Sequence, residues 1–202
     1  MIQTLRDITL VGRHTRKSTT LDVFSEGQST PVARLHKDHC FTTKHALSVF
    51  TGPALDRLEG WVTPRWAAGP DRARIGLVGQ RDRAGLFGQE TWTFEQDGLP
   101  PLTGRLAGST KVRYGGPLVL IPMVQAMDML FTYHVRFRAE VSEGFEFARL
   151  SGAGHPRYSL RIHDDRISTL LALSVVCYYD RVLDEDPRKR LLKVERHLTF
   201  KD

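Results

Sequence analysis

Cysteine is nearly absent from this 202-residue chain: only Cys40 and Cys177 occur, 137 positions apart. Two cysteines so placed make neither a zinc-type pair nor a disulfide scaffold. Cys177 falls in the most apolar stretch, where a cysteine serves as a small buried hydrophobe, and a reducing cytoplasm is the simplest setting for the chain. Long apolar runs are missing as well. The longest, Ile167 to Tyr179, has 13 residues and includes Ser168, Thr169 and Ser174. A bilayer crossing takes about 20 apolar residues, so no integral membrane helix is expected. Met1 to Leu10 carries Arg6 and Asp7 within it, and no secretory signal is expected there.

The usual loops and elbows of nucleotide-binding proteins and hydrolases are lacking too. Gly76-Leu77-Val78-Gly79 and Ser151-Gly152-Ala153-Gly154 are rich in glycine, but neither forms a dinucleotide or Walker-type loop, and both read as hairpin turns. No G-x-S-x-G elbow occurs, and no cofactor is expected. His36-Lys37-Asp38-His39-Cys40, with His45 beyond, gathers residue types that bind metals. On a strand, however, His36 and Asp38 take one face and His39 the other. The spacing fits no standard zinc pattern, so no metal site is expected. There is no internal repeat and no low-complexity linker.

What the chain does have is ordinary globular material, 41% hydrophobic and 26% charged, in a length that can bury a core without metals or disulfides. The net charge is +6, from 22 Arg and seven Lys against 23 acids. By segment, residues 1–45 carry +3, 46–102 carry −1, 103–140 carry +3 and 141–202 carry +1. The excess is spread along the chain. It permits contact with phosphate-bearing surfaces without demanding it.

Strand-like alternation broken by turns dominates the first 160 residues. Leu21-Asp22-Val23-Phe24, the Ser25-Glu26-Gly27-Gln28 turn and Val32-Ala33-Arg34-Leu35 predict a hairpin. Further short runs are Ala46 to Phe50, Trp61-Val62, Ile75 to Val78, Thr91-Trp92-Thr93-Phe94, Val112-Arg113-Tyr114, Phe145-Glu146-Phe147 and Tyr158 to Ile162. Leu118 to Leu130 is ambiguous, and Pro122 argues against one continuous helix there. The clearest strand is Phe131 to Val141. Phe131, Tyr133, Val135 and Phe137 point one way, and Thr132, His134, Arg136 and Arg138 the other. About ten such strands at this spacing suggest a sandwich or barrel rather than βαβ units.

One helix is expected, from about residue 166 to 182, with Asp164-Asp165 as its N-cap. Its Leu170, Leu171, Leu173, Val175, Val176, Cys177, Tyr178 and Tyr179 cover every face. A helix apolar all round is buried on all sides, and in a β chain of this size the place for it is inside a closed sheet. A strand pair turning near Ser174 is the competing reading.

The order of these features resembles the tubby C-terminal-like superfamily, in particular its LURP-one-related and phospholipid-scramblase-like branch. The resemblance is carried by Leu21-Asp22-Val23-Phe24 with its Gly27 turn, by Gln89-Glu90-Thr91-Trp92-Thr93-Phe94, by Phe131 to Phe137, and by Asp165-Arg166-Ile167 running into Leu170 to Arg181. It implies a mostly-β fold: a closed antiparallel barrel of about twelve strands around a central hydrophobic C-terminal helix. Residues 1–183 would form the barrel domain and 184–202 a charged tail. It also implies a kinship with phosphoinositide-binding and scramblase-like proteins. No phosphoinositide pocket maps residue by residue. The acids at Asp180 and Asp184-Glu185-Asp186 lack the alternating oxygen ligands and central Gly of a calcium loop.

The binding candidate is the strand face His134, Arg136, Arg138, three basic groups spaced about 7 Å apart that suit several phosphates better than one. Arg72 and Arg74, with Arg81 and Arg83, form a second alternating set around an expected hairpin. Both patterns equally describe outward solvated faces that keep a barrel soluble. The expectation is a non-catalytic barrel, cytoplasmic or peripheral at a membrane, docking on anionic phospholipid or on a protein partner. A small-ligand protein or enzyme with a pocket at the barrel mouth is the alternative. Nucleic acid comes last, because the aromatics interleaved with the arginines belong to the core face.

Overall fold

A computed structural model describes residues 2–15, 17–38, 45–81, 91–107, 133–150 and 155–183. After a 3-10 turn at Ile2–Thr4 come twelve strands: β1 (Asp7–His14), β2 (Ser18–Ser25), β3 (Ala33–Asp38), β4 (Leu47–Thr51), β5 (Arg57–Val62) and β6 (Trp66–Ala68), then β7 (Arg74–Arg81), β8 (Thr91–Gln96), β9 (Leu102–Leu106), β10 (Tyr133–Ala139), β11 (Ser142–Leu150) and β12 (Arg157–Ile162). One helix, α1 (Thr169–Leu183), follows. Each strand pairs antiparallel with its neighbours in sequence, and β12 returns to pair with β1, where Ile8 faces Leu160 and Leu10 faces Tyr158. The sheet is thus a closed up-and-down barrel with no free edge.

Period-two burial makes the wall. Ile8, Leu10, Leu21, Val23, Leu35, Val49, Phe94, Val135, Phe137, Phe145, Phe147 and Leu160 point into the lumen, and their sequence neighbours point out. The helix fills that lumen. Leu170, Leu171, Leu173, Val175 and Val176 are all buried, at 3% exposure or less, as an all-round apolar helix requires. It sits off-centre, closest to β5, β6 and β7. Small residues stand at inward positions there: Gly60, Ala67 and Gly76. A Cβ added at Gly76 would lie 2.6 Å from Leu171 Cδ2, and closer still to the Glu95 carbonyl oxygen, so close approach requires the glycine. The wall from β8 to β11 supplies rings instead. Phe137 and Phe145 stack with centroids 4.3 Å apart, and Trp92 meets Tyr178 of the helix at 4.9 Å.

The closed barrel of twelve strands is the number the resemblance implies, although the alternation in the sequence passes over β1, β6 and β9. Three expectations need correction. Gly76 to Gly79 lies inside β7 and is not a turn; its glycines answer to the helix behind and to Thr93 alongside. The helix begins at Thr169, with no acid in its first turn. Its N-terminal amides are satisfied by two glutamines: Ser168 N donates to Gln96 Oε1 at 2.8 Å, and Thr169 N to Gln3 Oε1 at 2.9 Å. Asp164 serves a turn before the helix instead, accepting from Ser142 Oγ at 2.5 Å, the Arg166 amide at 3.1 Å and Arg166 Nη2 at 2.7 Å. Finally, Arg72 and Arg74 do not form one set with Arg81, since Arg72 lies in the β6–β7 turn and Arg74 and Arg81 end opposite extremes of β7. Residues His39, Cys40, Arg83, 112–114, 118–130, 151–154 and the 184–202 tail lie outside the described residues.

Candidate functional site

In β10, Tyr133, Val135 and Phe137 are buried while His134, Arg136 and Arg138 face outward, as the alternation predicts. What the neighbouring strands add decides what that face can do. In β9 the alternation Leu102, Gly104, Leu106 inward puts Thr103 and Arg105 outward. The β9–β10 register sets Arg105 directly opposite Arg136, and Thr103 opposite Arg138. On the other flank, β11 places Glu146 opposite Arg136, β12 places Arg161 opposite Glu146, and β1 places Asp7 opposite Arg161. A single row around the outer wall therefore runs Arg105, Arg136, Glu146, Arg161, Asp7.

Glu146 is the hub of this row. Arg136 Nε lies 3.1 Å from its Oε1, His134 Nε2 lies 3.2 Å from Oε2, and His163 Nε2, just past β12, lies 3.5 Å from Oε1. Arg161 instead donates to Asp7 Oδ1 at 2.6 Å; that bond and the Asp7 charge raise its pKa above the usual value. Arg105 and Arg138 are exposed, and no acid among the described residues pairs with either. Arg105, Arg136 and Arg138 share this wall with Glu146 and, at its β10–β11 turn end, with the exposed Glu140 and Glu143. Cations directly opposed across two strands lower stability, and Glu146 offsets only part of that.

The sequence reading located β10's basic face and missed the residues that flank it. Arg105, Glu146, Arg161 and His163 all come from other segments. Glu146 was within reach, since Phe145-Glu146-Phe147 alternates and its centre must point out. Arg105 had a weaker signal, the alternation of Leu102, Gly104 and Leu106 just past Pro100-Pro101.

Arg72 and Arg74 stand elsewhere and do not join this wall. The Arg72 guanidinium sits over the Trp61 ring, 5.4 Å from its centroid. Arg74 lines a shallow cleft of about 220 Å³ together with Glu95 and Asp97, acids that oppose anion binding there. On β3, His36 Nε2 approaches Asp38 Oδ1 at 3.4 Å and its Nδ1 meets Thr20 Oγ1 at 3.0 Å. The two residues share an outer face, beside a cleft that His45 also lines. Among the described residues no group of three metal-ligating side chains comes together. No described helix is long and apolar enough to cross a membrane.

No family model, curated protein or solved structure matches this chain. The geometry of the β9–β11 wall is therefore the ground for a functional reading.

Proposed function

We propose that this protein is a non-catalytic barrel module that docks on anionic phospholipid surfaces through the outer wall of β9, β10 and β11. The observation that carries this reading is the in-register opposition of Arg105 and Arg136, extended by Arg138, with Glu146 the acid that meets Arg136. A convex wall that sets arginines side by side matches a sheet of phosphates better than one small anion, because its arginines are spread along two strands. Juxtaposed basic residues contribute about 1 kcal/mol each at an anionic membrane. The helix-filled lumen also favours a surface reading over an internal ligand, since Leu171, Val175 and Trp92 occupy the space a ligand-carrying barrel leaves open. Kinship with tubby C-terminal-like barrels remains part of the same proposal. A closed twelve-stranded barrel plugged by a C-terminal helix is the architecture that resemblance implied.

The test is vesicle co-sedimentation with phosphatidylcholine alone and with phosphatidylglycerol added, at low and moderate salt. Wild type is compared with Arg105→Glu/Arg138→Glu. These two positions are chosen because reversing Arg136 would set a second acid against Glu146. Binding only to the anionic vesicles, weakened by salt and at least about tenfold by the variant, supports the reading. Equal binding of the variant, or no binding to either vesicle, overturns it. Capture of a protein partner through the same arginines without any lipid affinity would place the wall at a protein interface instead.

A further inference from the structure

We infer that acidification strengthens this docking wall, with His134 and His163 as the groups that respond. The inference rests on the lipid-docking reading and concerns its regulation. Both imidazoles touch one carboxylate, Glu146, from opposite sides: His134 from β10 at 3.2 Å and His163 from the segment after β12 at 3.5 Å. Their side chains are 31% and 26% exposed, open enough to exchange protons with solvent and near enough to the arginines to add to their field. The charged groups around them include Arg136 on the same strand, Arg105 on β9, Arg161 on β12 with Asp7 of β1 bound to it, Glu143 of β11 beside the Gly144 carbonyl that the His163 amide meets, and Asp164, which pairs with Arg166. Arg136 and Arg105 oppose protonation, and Glu146 favours it.

Histidine is the side chain whose charge changes across physiological pH. Protonating His134 and His163 adds two positive charges beside Arg105, Arg136 and Arg138. The response is therefore an addition of charge to a preformed patch, with no rearrangement of the barrel.

The experiment measures binding to phosphatidylglycerol vesicles, whose phosphodiester keeps its charge over the range, at about pH 7.5 and about pH 5.5 and constant ionic strength. Wild type, His134→Gln/His163→Gln and each single variant are compared by the ratio of affinities at the two pH values. A ratio cancels any loss common to both conditions. Wild type is expected to bind about tenfold tighter at the lower pH, each single variant to keep part of that gain, and the double variant to lose it. In parallel, Glu146→Gln is expected to lower the titration midpoints of His134 and His163 followed by NMR, a shift that loss of packing alone would not produce. A gain that persists in the double variant, or midpoints unmoved in Glu146→Gln, overturns the inference. Wild-type binding that is equal at both pH values also overturns it while leaving the docking reading standing. No vesicle binding at either pH overturns both.

Discussion

Arg105 and Arg136 face each other across β9 and β10 as a directly opposed cross-strand pair, two cations where a folding requirement alone would favour opposite charges or none. This separates two quantities that normally move together. Arg105→Glu converts the pair into an attractive one and is expected to raise stability by about 0.2–1 kcal/mol, read as a higher melting temperature. The same change is expected to weaken binding to anionic vesicles several-fold. A variant that gains stability and keeps its vesicle affinity would show the wall to be merely solvated.

The helix core sets the second expectation. Leu171 and Val175 are fully buried against the barrel wall. Leu171→Ala is expected to cost about 2–5 kcal/mol by chemical denaturation, and Leu171→Asp or Val175→Asp to abolish the fold, since a carboxylate there has no water to solvate it. Val141, 70% exposed in the β10–β11 turn, is the control. Val141→Asp is expected to change stability by no more than about 0.5 kcal/mol.

Gly76 tests how closely the helix is seated. Any side chain there meets Leu171 and the Glu95 carbonyl, so Gly76→Val is expected to destabilise by about 1–3 kcal/mol or more while leaving the outer wall's sequence untouched. An unchanged melting temperature would mean that the helix does not pack on β7 as described.

Asp164 links stability to pH. Its carboxyl is held well below the usual range, first by hydrogen bonds from Arg166, with Ser142 assisting against the cost of burial. A depressed folded-state pKa stabilises the protein above the unfolded carboxylate's pKa, and that contribution falls away as pH drops through and below it. Asp164→Ala leaves the Ser142 hydroxyl and the Arg166 amide without their acceptor and is expected to cost about 1–3 kcal/mol at neutral pH. The gap between variant and wild type in thermal melts is expected to narrow below about pH 4. A gap independent of pH would assign Asp164 a packing role only.

Legibility in the sequence followed the range of the interaction. β10 could be read outright because Tyr133 to Arg138 alternates without interruption, and α1 because Leu170 to Cys177 is apolar on every face. β9 was passed over: it is five residues long, contains Gly104 and follows two prolines, so its local signal is that of a turn. The helix start was misplaced because Asp164 and Asp165 make a plausible cap locally. The groups that satisfy the helix amides, Gln3 and Gln96, lie 166 and 72 residues away. The wall has the same character. Which acid neutralises Arg136, and which cation confronts it, depends on register between strands, and no pattern within β10 encodes either.

The off-centre plug bears on how such a chain comes to be folded at all. During synthesis all twelve strands leave the ribosome before α1. Until Tyr178 and Tyr179 arrive, Trp92, Tyr133 and Phe147 each lack a ring partner from the helix. The seam is equally late, because Arg161 must find Asp7 across 154 residues. Contacts this distant along the chain make for slow folding and leave hydrophobic surface exposed meanwhile. Before its last helix is released the nascent sheet thus has an apolar inner face with no helix to cover it.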